Sequence, residues 1–258
     1  MVIENDYPYI SIIIAVYNGE EFLQRAMDSV INQTYKDKEL IIVDGGSTDS
    51  TVEIIEKDTS GIVRWISEKD CGIADAWNKG INISQGKWII FLGADDQFAD
   101  NNVLSSVAPS LMQYENKADV IFGDIELVDK TGKSLKRVGK EWSWEEFRKR
   151  MSIPHQGAFH SRNYFEEAGI YNLKFEIVAD YELLLRKKQS LRVVHLNFLI
   201  SRMQTGGISQ TYITKVLQEW RNAQLLNKVA NTYFIRCVYA WSIFKYLIKI
   251  ILRTIVKI

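Results

Sequence analysis

The sequence predicts an α/β fold, a mixed and mainly parallel sheet flanked by helices. In the first half of the chain, short apolar runs of strand length alternate with segments of helical period, which is typical of parallel strands joined by helical crossovers. Residues 125–138 alternate apolar and polar side chains around the turn signal Thr131-Gly132 and predict an antiparallel hairpin. The 258 residues, 47% hydrophobic and 25% charged, suffice for one large α/β domain or for a domain with an extension.

Three strands and two helices are predicted in the first quarter of the chain. The strands cover residues 9–17, 39–44 and 62–66, and the helices cover residues 20–33 and about 50–57. The first helix repeats apolar side chains at intervals of three and four residues, which is the period of a helix with one buried face. Right-handed crossovers then make the three strands parallel neighbours in one sheet.

Two adjacent carboxylates follow the strand predicted at residues 88–92. The apolar run ends at Gly93, and Asp95 and Asp96 come soon after it. Open α/β sheets bind ligands at the carboxyl ends of their strands. Hard oxygen ligands suit Mg²⁺ or Mn²⁺, which proteins commonly share with substrate phosphates. The pattern therefore predicts a metal site, and a solvated acidic loop is the alternative.

The α/β pattern continues in the second half of the chain. The elements predicted after a helix that starts near Ile73 are a helix at about 101–115, a strand at 119–122, the hairpin, a helix in the later part of 175–186 and a strand at 191–199. Asp180 falls at the start of the helix within 175–186. A carboxylate there complements the helix dipole, or it acts as a general base if the fold brings it to the acid pair.

Polar residues beside the early strands are candidates for nucleotide contacts. Asp44 ends the second strand, where it can bond a ribose hydroxyl or a base edge, or act as a turn residue or helix cap. Asp70 and Asp75 lie in the polar stretch of residues 67–80, which either contacts a nucleotide or forms a solvated helix. The pattern GxGxxG does not follow the first strand, which argues against a dinucleotide-binding domain.

Two later segments carry further candidates. His155 and His160 are five residues apart on a strand or loop, and no cysteine or third histidine supports a zinc site, so structural or substrate hydrogen bonding is favoured over metal ligation. Gly206-Gly207-Ile208-Ser209 is predicted as a flexible loop whose backbone amides approach a phosphate.

Composition limits the partners and the compartment. The formal net charge is zero, so bulk binding of nucleic acid is not indicated. The two cysteines, Cys71 and Cys237, lie far apart, which argues against a disulfide framework and fits a reducing cytosol. The first ten residues lack the hydrophobic region of a signal peptide.

Residues 211–258 form a basic extension. They contain eight lysines and arginines against one glutamate, and Lys245, Lys249, Arg253 and Lys257 are each four residues apart. The uncharged runs between them are too short to span a bilayer. The pattern favours an amphipathic helix at the cytoplasmic membrane interface, with a core-packing or dimer helix as the alternative.

Seven segments together resemble a known family. The chain is similar to the inverting family 2 glycosyltransferases, which have the A-type glycosyltransferase fold, and among them to bacterial enzymes of O-antigen, capsule and exopolysaccharide assembly. The resemblance covers residues 9–210, with a nucleotide-sugar half at about 1–97 and an acceptor half at about 98–210. The matching segments, in the family's order, are SIIIAVYN, IIVDGGSTDST, DCGIADAWNKG, IIFLGADD, PHQGAFHSR, FEIVADYELLLR and GGIS.

The resemblance implies a role for each candidate residue. Asp96 holds the metal beside Asp95, and Asp180 is the catalytic base. The implied nucleotide-sugar contacts are Val16, Tyr17, Asp44, Asp70, Asp75 and Asp95, and the implied acceptor or other contacts are His155, Gln156, His160, Gly207 and Ser209. The chain departs from the family by having Gly93-Ala94 where Asn-Ser is common, and Ala179 where Glu commonly precedes the base.

The implied activity is transfer of a sugar from a nucleotide donor, with UDP favoured, to a hydroxyl of a lipid-linked saccharide on the inner face of the plasma membrane. The implied enzyme uses Mn²⁺ or Mg²⁺, and a homo-oligomer is possible. A catalytically silent nucleotide-sugar-binding scaffold is the alternative, which the presence of Asp44, Asp95, Asp96 and Asp180 together disfavours. A nucleotidyltransferase is disfavoured because no glycine-rich phosphate loop with a basic residue follows the first strand.

Overall fold

The computed structural model describes residues 7–255, with side chains described to Leu252, and they form one mixed sheet with helices on both faces. The strands are β1 Ile10–Val16, β2 Lys38–Asp44, β3 Val63–Ser67, β4 Trp88–Gly93, β5 Gln97–Phe98, β6 Val120–Val128, β7 Ser134–Val138, β8 Ala158–Ser161 and β9 Val193–Gln204. The helices are α1 Leu23–Ile31, α2 Thr51–Glu56, α3 Ile73–Ile83, α4 Val103–Gln113, α5 Trp144–Phe147, α6 Arg162–Ala168, α7 Ala179–Leu185, α8 Ile208–Thr211, α9 Ile213–Leu226 and α10 Thr232–Ile255.

The first four main strands are parallel, as the sequence predicted. The sheet order is β3-β2-β1-β4-β8-β6-β9-β5, with β7 paired to β6. The register aligns Val16 with Asp44, Asp44 with Ser67, and Ala15 with Gly93. The carboxyl ends of β1, β2, β3 and β4 therefore form one row at a single edge of the sheet.

The second half of the sheet contains both parallel and antiparallel pairs. β8 is antiparallel to both β4 and β6, and β9 is parallel to β6, so β6 and β9 run in the same direction as β4. The predicted hairpin is confirmed as β6 and β7. β6 is a single strand that begins at Val120, before the hairpin, and its register against β9 shifts on both sides of Asp124. β9 extends five residues beyond the predicted end at Leu199, to Gln204, which brings its carboxyl end to the edge where β4 ends.

Two apolar layers cover the two faces of the sheet. Ile12 and Ile14 of β1 pack in the layer beneath α1, α2 and α4, whereas Ile13 packs in the layer beneath α3, α6, α7 and α9. All three side chains are fully buried, as expected for a strand whose two faces are both covered by helices. This double coverage explains why the early strands appear as continuous apolar runs.

The basic extension begins as part of the core. Val216 and Ala223 of α9 and Ile235 of α10 are buried in the same apolar layer as α7. Beyond Ile235, α10 exposes much of its apolar surface. Between residues 7 and 255, no helix is both long enough and apolar enough to cross a membrane.

Candidate active site

Hydrogen bonds join the loops that follow β1 and β2 at the carboxyl edge of the sheet. The Asn18 amide donates to Ser47 Oγ at 2.7 Å, and the Thr48 amide donates to Asn18 Oδ1 at 2.9 Å. Asn18 has φ 49°, a left-handed conformation that asparagine tolerates well. Of the two predicted base-pocket residues, Val16 is buried, whereas Tyr17 is 64% exposed and leaves a ring face open to a ligand.

Asp44 organises the loop that follows β2. Its carboxylate is completely buried and accepts the Ser67 hydroxyl at 2.6 Å, the Gly46 amide at 3.1 Å and the Ser47 amide at 3.0 Å. The Ser47 hydroxyl donates to it as well. Because four protein groups donate to it, the carboxylate fixes the conformation of the loop after β2. This is the role that the turn-residue interpretation of the sequence predicted.

Asp70 lies over the backbone of Gly45. A Cβ atom at Gly45 would come within 2.6 Å of Asp70 Oδ2 and 3.6 Å of the Tyr17 Cβ. The lack of a side chain at Gly45 therefore allows Tyr17 and Asp70, which are far apart in sequence, to meet at one place. Asp75 lies in the first turn of α3, where it accepts the Cys71 amide at 3.0 Å and pairs with Lys79 at 3.6 Å.

Asp95 and Asp96 converge above Gly93. A Cβ atom at Gly93 would lie 2.6 Å from Asp96 Oδ2 and 2.9 Å from Asp95 Oδ1, so only glycine leaves room for both carboxylates. Asp96 is 2% exposed, and it accepts the Gly93 amide at 3.1 Å and the Gln204 amide at 3.2 Å. Burial, with the negative charge of Asp95 as a further cause, raises its pKa to about 7.

Asp95 differs from its neighbour in exposure. Its side chain faces solvent at the edge of the site, and partial burial still raises its pKa, while the positive charge of Arg25 on α1 acts in the opposite direction. Two carboxylates that crowd one point repel each other when both are ionised. A cation placed between them would relieve that repulsion.

The acid pair fits a divalent cation that is shared with a ligand. Within residues 7–255, no group of three or more His, Cys, Asp or Glu side chains converges to hold a metal alone. Asp95 and Asp96 supply hard oxygen atoms, which is the donor type that Mg²⁺ and Mn²⁺ prefer, and both ions commonly take their remaining ligands from water and substrate phosphates.

Asp180 lies in the first turn of α7, as the sequence predicted. Its Oδ1 accepts the Tyr181 amide at 2.8 Å, and part of the side chain remains accessible to solvent. Burial, with the negative charge of Glu219 on α9 as a smaller cause, raises its pKa to about 6. A carboxyl group with this pKa is ionised near neutral pH and is a stronger base than an exposed aspartate.

The loop before α7 is joined to α3. Asn78 Nδ2 donates to the Tyr171 carbonyl at 2.9 Å, and the Tyr171 amide donates to Asn78 Oδ1 at 2.8 Å. Asn78 lies one turn after Asp75 on the same helix. The segment that leads to Asp180 is thereby anchored to the helix that bears a predicted nucleotide contact.

His155 and His160 lie in an aromatic cluster of the core. The His155 ring stacks on Phe91, with centroids 5.1 Å apart and an interplanar angle of 14°, and His160 meets the same ring edge-on at 5.7 Å. Burial lowers the pKa of His155 far below its usual range and that of His160 to about 4, so both rings are neutral. These surroundings support the structural interpretation of the two histidines rather than a substrate contact.

The remaining acceptor-side candidates lie closer to the surface. Gln156 belongs to a single 3₁₀ turn that precedes β8, and its side chain is partly exposed while its carbonyl accepts the Ser201 hydroxyl at 2.8 Å. Gly207 follows β9 and remains outside regular structure, whereas Ser209 lies within the one-turn helix α8 rather than in the predicted loop. The Gly206 amide donates to Gln210 Oε1 at 3.2 Å, which closes this turn.

Three residues at the site were absent from the sequence prediction. Gln204 binds Asp96 through its backbone, Arg25 acts on Asp95, and Glu219 acts on Asp180. Each contact joins segments that are distant along the chain, and a backbone amide has no side-chain signature. Only the charge of Glu219, the single acid in a basic extension, was visible in the sequence.

A family profile and several sequence relatives indicate the same class of protein. A profile of the family described as Glycosyl transferase family 2 matches residues 11–170. Proteins named PGL/p-HBAD biosynthesis glycosyltransferase, from Mycobacterium bovis and Mycobacterium tuberculosis, are 32% identical over 214 residues, which cover 81% of this chain and 82% of each relative. An uncharacterized glycosyltransferase of Rickettsia bellii is 39% identical over 141 residues, covering 52% of this chain and 20% of that protein.

Solved structures share the fold at low sequence identity. TarS from S. aureus in complex with UDP-GlcNAc superposes with a TM-score of 0.67 at 16% identity, over 91% of this chain and 71% of that one. The mannosyltransferase PcManGT from Pyrobaculum calidifontis, in complex with GDP-Man and Mn²⁺, gives a TM-score of 0.63 at 13% identity, over 92% and 74%. Fold, profile and relatives agree: this chain is a glycosyltransferase of family 2 with the A-type glycosyltransferase fold.

Proposed function

We propose that this glycosyltransferase moves a sugar from a nucleoside diphosphate donor, with uridine as the favoured nucleoside, to a hydroxyl of a lipid-linked saccharide, with inversion at the anomeric carbon. The convergence of Asp95 and Asp96 above Gly93 carries the proposal. Two carboxylates that meet at the carboxyl edge of a sheet suit the metal-bridged diphosphate of such a donor.

The proposed chemistry is a single displacement. Asp180 takes the proton of the acceptor hydroxyl as its oxygen attacks the anomeric carbon. The new carbon–oxygen bond forms on the face opposite the departing phosphate oxygen, so an α-linked donor gives a β-linked product. Asp96 with Asp95 would hold Mn²⁺ or Mg²⁺, which would supply positive charge against the leaving diphosphate.

The nucleoside pocket in this proposal is formed by the exposed ring of Tyr17, the bare backbone of Gly45 and the carboxylate of Asp70. Their approach to one another supports it, since a flat base packs well on an aromatic ring above a glycine. Val16 supports the pocket from below, and the buried Asp44 shapes its loop. Asp75 completes the polar rim.

The acceptor side is proposed at Gln156, Gly207 and Ser209. The partly exposed Gln156 lies at the carboxyl edge because it precedes β8, which is antiparallel to β4. The end of β9 lies there because β6 and β9 run in the same direction as β4. The Gln204 amide on Asp96 supports this assignment, since it joins the end of β9 to the acid pair. The uridine donor is supported by the UDP-GlcNAc that TarS binds, and the GDP-Man of PcManGT makes guanosine the second choice.

Donor turnover tests the proposed function directly. Purified protein is incubated with Mn²⁺, a membrane lipid extract and a panel of UDP- and GDP-sugars, and nucleoside diphosphate release is measured. We expect release from one donor, and its loss on addition of EDTA followed by recovery on excess Mn²⁺. Donor binding without release, over lipid extracts that contain saccharide acceptors, would favour the silent-scaffold alternative.

We also propose that α10 docks on an anionic membrane surface. Its exposed apolar side chains include Trp241, Phe244, Leu247 and Leu252, each at least half exposed. Residues 232–258 contain no Asp or Glu, and Arg236, Lys245 and Lys249 are exposed. An apolar helix with basic residues and no acidic ones suits a negatively charged lipid interface.

Substitution of Leu247 by Ser is expected to weaken co-sedimentation with liposomes that contain anionic lipids, because the side chain, which is 50% exposed on α10, would lose its insertion into the lipid. Leu135→Ser on β7 is the matched control, since Leu135 is 54% exposed but lies on the hairpin. A Lys245→Gln/Lys249→Gln variant should bind less tightly, by roughly 1 kcal/mol per lysine. Equal sedimentation of all variants would contradict membrane docking, and a change in oligomeric state for Leu247→Ser would point to a dimer helix.

A further inference from the structure

The helix that bears Asp180 has no capping side chain of its own. α7 begins at Ala179, and Val178, the residue before it, has no side-chain atom that can accept a backbone N–H. The segment just before the helix is bound instead by Glu219 of α9. Its Oε2 accepts the amides of Ile177 at 3.0 Å and Val178 at 3.1 Å, and its Oε1 accepts the amide of Glu176 at 3.4 Å.

Glu219 is a buried carboxylate bound by amides rather than by a basic side chain. It is 7% exposed, and among the described side chains, those of residues 7–252, no Lys, Arg or His lies within 4.0 Å of it. Its negative charge is one of the causes, after burial, that raise the Asp180 pKa. Lys215 of the same helix, which pairs with Glu176, also interacts electrostatically with Glu219. Asp180 also interacts with Tyr171, in the loop between α6 and α7.

We propose that Glu219 is a positioning residue for the catalytic base: its carboxylate fixes the backbone from which α7 starts and acts electrostatically on Asp180. The inference rests on the proposed role of Asp180. It assigns part of the catalytic site to the extension after residue 210, which nothing in the family resemblance had linked to the chemistry.

The rest of α9 provides neutral contacts with α7. Gln224 Nε2 donates to the Tyr181 hydroxyl at 3.2 Å, and Asn227 Nδ2 donates to Glu182 Oε1 at 3.2 Å. The rings of Trp220 and Tyr181 lie 5.9 Å apart. These contacts stabilise the packing of the two helices, whereas Glu219 adds a negative charge beside the base. The packing and the electrostatic roles can therefore be separated by mutation.

The variants Glu219→Gln and Glu219→Asp separate the effect of the negative charge from the effect of side-chain length. The Gln variant keeps the length of the side chain but loses the charge and one acceptor oxygen, so we expect kcat to fall about tenfold and the acidic limb of the kcat–pH profile to move to lower pH. The Asp variant keeps the charge on a shorter side chain, so we expect the limb to stay near its wild-type position while kcat falls. The KM for the donor should remain within about twofold in both.

Asn227→Ala is the matched control, because it removes a contact between α9 and α7 without removing a charge. We expect it to lower the Tm and to leave the pH profile unchanged. A wild-type kcat and profile in folded Glu219→Gln would overturn the inference, and if that variant does not fold, a wild-type kcat in Glu219→Asp would do so. Activity retained in Asp180→Asn would instead refute the base assignment itself, which distinguishes the two failures.

Discussion

Substitution of Asp180 by Asn is expected to lower kcat by about 10²–10⁴-fold, the usual contribution of a general base. The amide is nearly the same shape as the carboxyl group and can still accept the Tyr181 amide, so the start of α7 should keep its conformation. Donor affinity should be little changed because the base acts on the acceptor hydroxyl. Nucleoside diphosphate release under single-turnover conditions, with donor binding measured by calorimetry, checks both expectations.

The pH dependence of kcat provides a second test of the same residue. Because burial raises the pKa of Asp180 to about 6, the rate should fall as pH drops through that value, and an exposed aspartate would place this limb near pH 4. The exposed Glu166 on α6 offers a control, and Glu166→Gln should leave both the rate and the limb unchanged. A limb near pH 4 in the wild type would contradict the assignment.

As pH rises through about 6, the stability of the wild-type protein should fall while its activity rises. The folded carboxyl group of Asp180 binds its proton more tightly than the unfolded one, so the stabilising contribution is complete below pH 3.8 and is lost as pH rises through about 6. At pH 8 the wild type therefore bears an ionised, crowded carboxylate that Asp180→Asn lacks. We expect the variant to melt at a higher temperature at pH 8 and to lose this advantage at pH 4.

Substitution of Asp96 by Asn is expected to lower kcat/KM by at least about 10²-fold. A cation on the leaving diphosphate stabilises the transition state by several kcal/mol, and the variant would lose much of this stabilisation. The neutral amide binds Mn²⁺ far more weakly than a carboxylate does. Donor turnover as a function of Mn²⁺ concentration measures the effect, and a higher Mn²⁺ requirement in the variant is the expected signature.

Two neighbouring acids serve as comparisons for Asp96. Asp95→Asn should lose less activity, since Asp95 faces solvent, whereas Asp96 is buried and fixed by the amides of Gly93 and Gln204. Asp100→Asn should behave as the wild type, because its exposed carboxylate accepts only the nearby Asn102 amide among the described residues. Full activity of Asp96→Asn without added metal would exclude the proposed metal site.

Local sequence patterns were sufficient to predict the parallel half of the sheet. β1, β2 and β4 are buried on both faces, and that burial leaves a continuous apolar run that stops where the strand stops. The same stops marked Asp44 and Gly93 as edge residues. The position of the acid pair therefore followed from strand ends alone, without knowledge of the partners of either carboxylate.

The second half depended on contacts that no local pattern records. β8 has four residues, and its antiparallel place between β4 and β6 follows from pairing rather than from its composition. For His155 and His160 the sequence left structural and substrate hydrogen bonding open, and only the fold shows the rings of Phe91, Trp77 and Phe165 around them. The contact of Glu219 with the start of α7 spans more than 40 residues and leaves no periodic signal.

The bond between Asp96 and the Gln204 amide also has a consequence for folding during synthesis. The two residues are 108 positions apart, and β9 must emerge and pair with β6 before that amide reaches the carboxylate. The entropy of closing so long a loop is lost before the contact compensates for it. A nascent chain that has released only its first four strands therefore carries Asp96 without the Gln204 donor, and this carboxylate gains both of its backbone donors only once most of the polypeptide has left the ribosome.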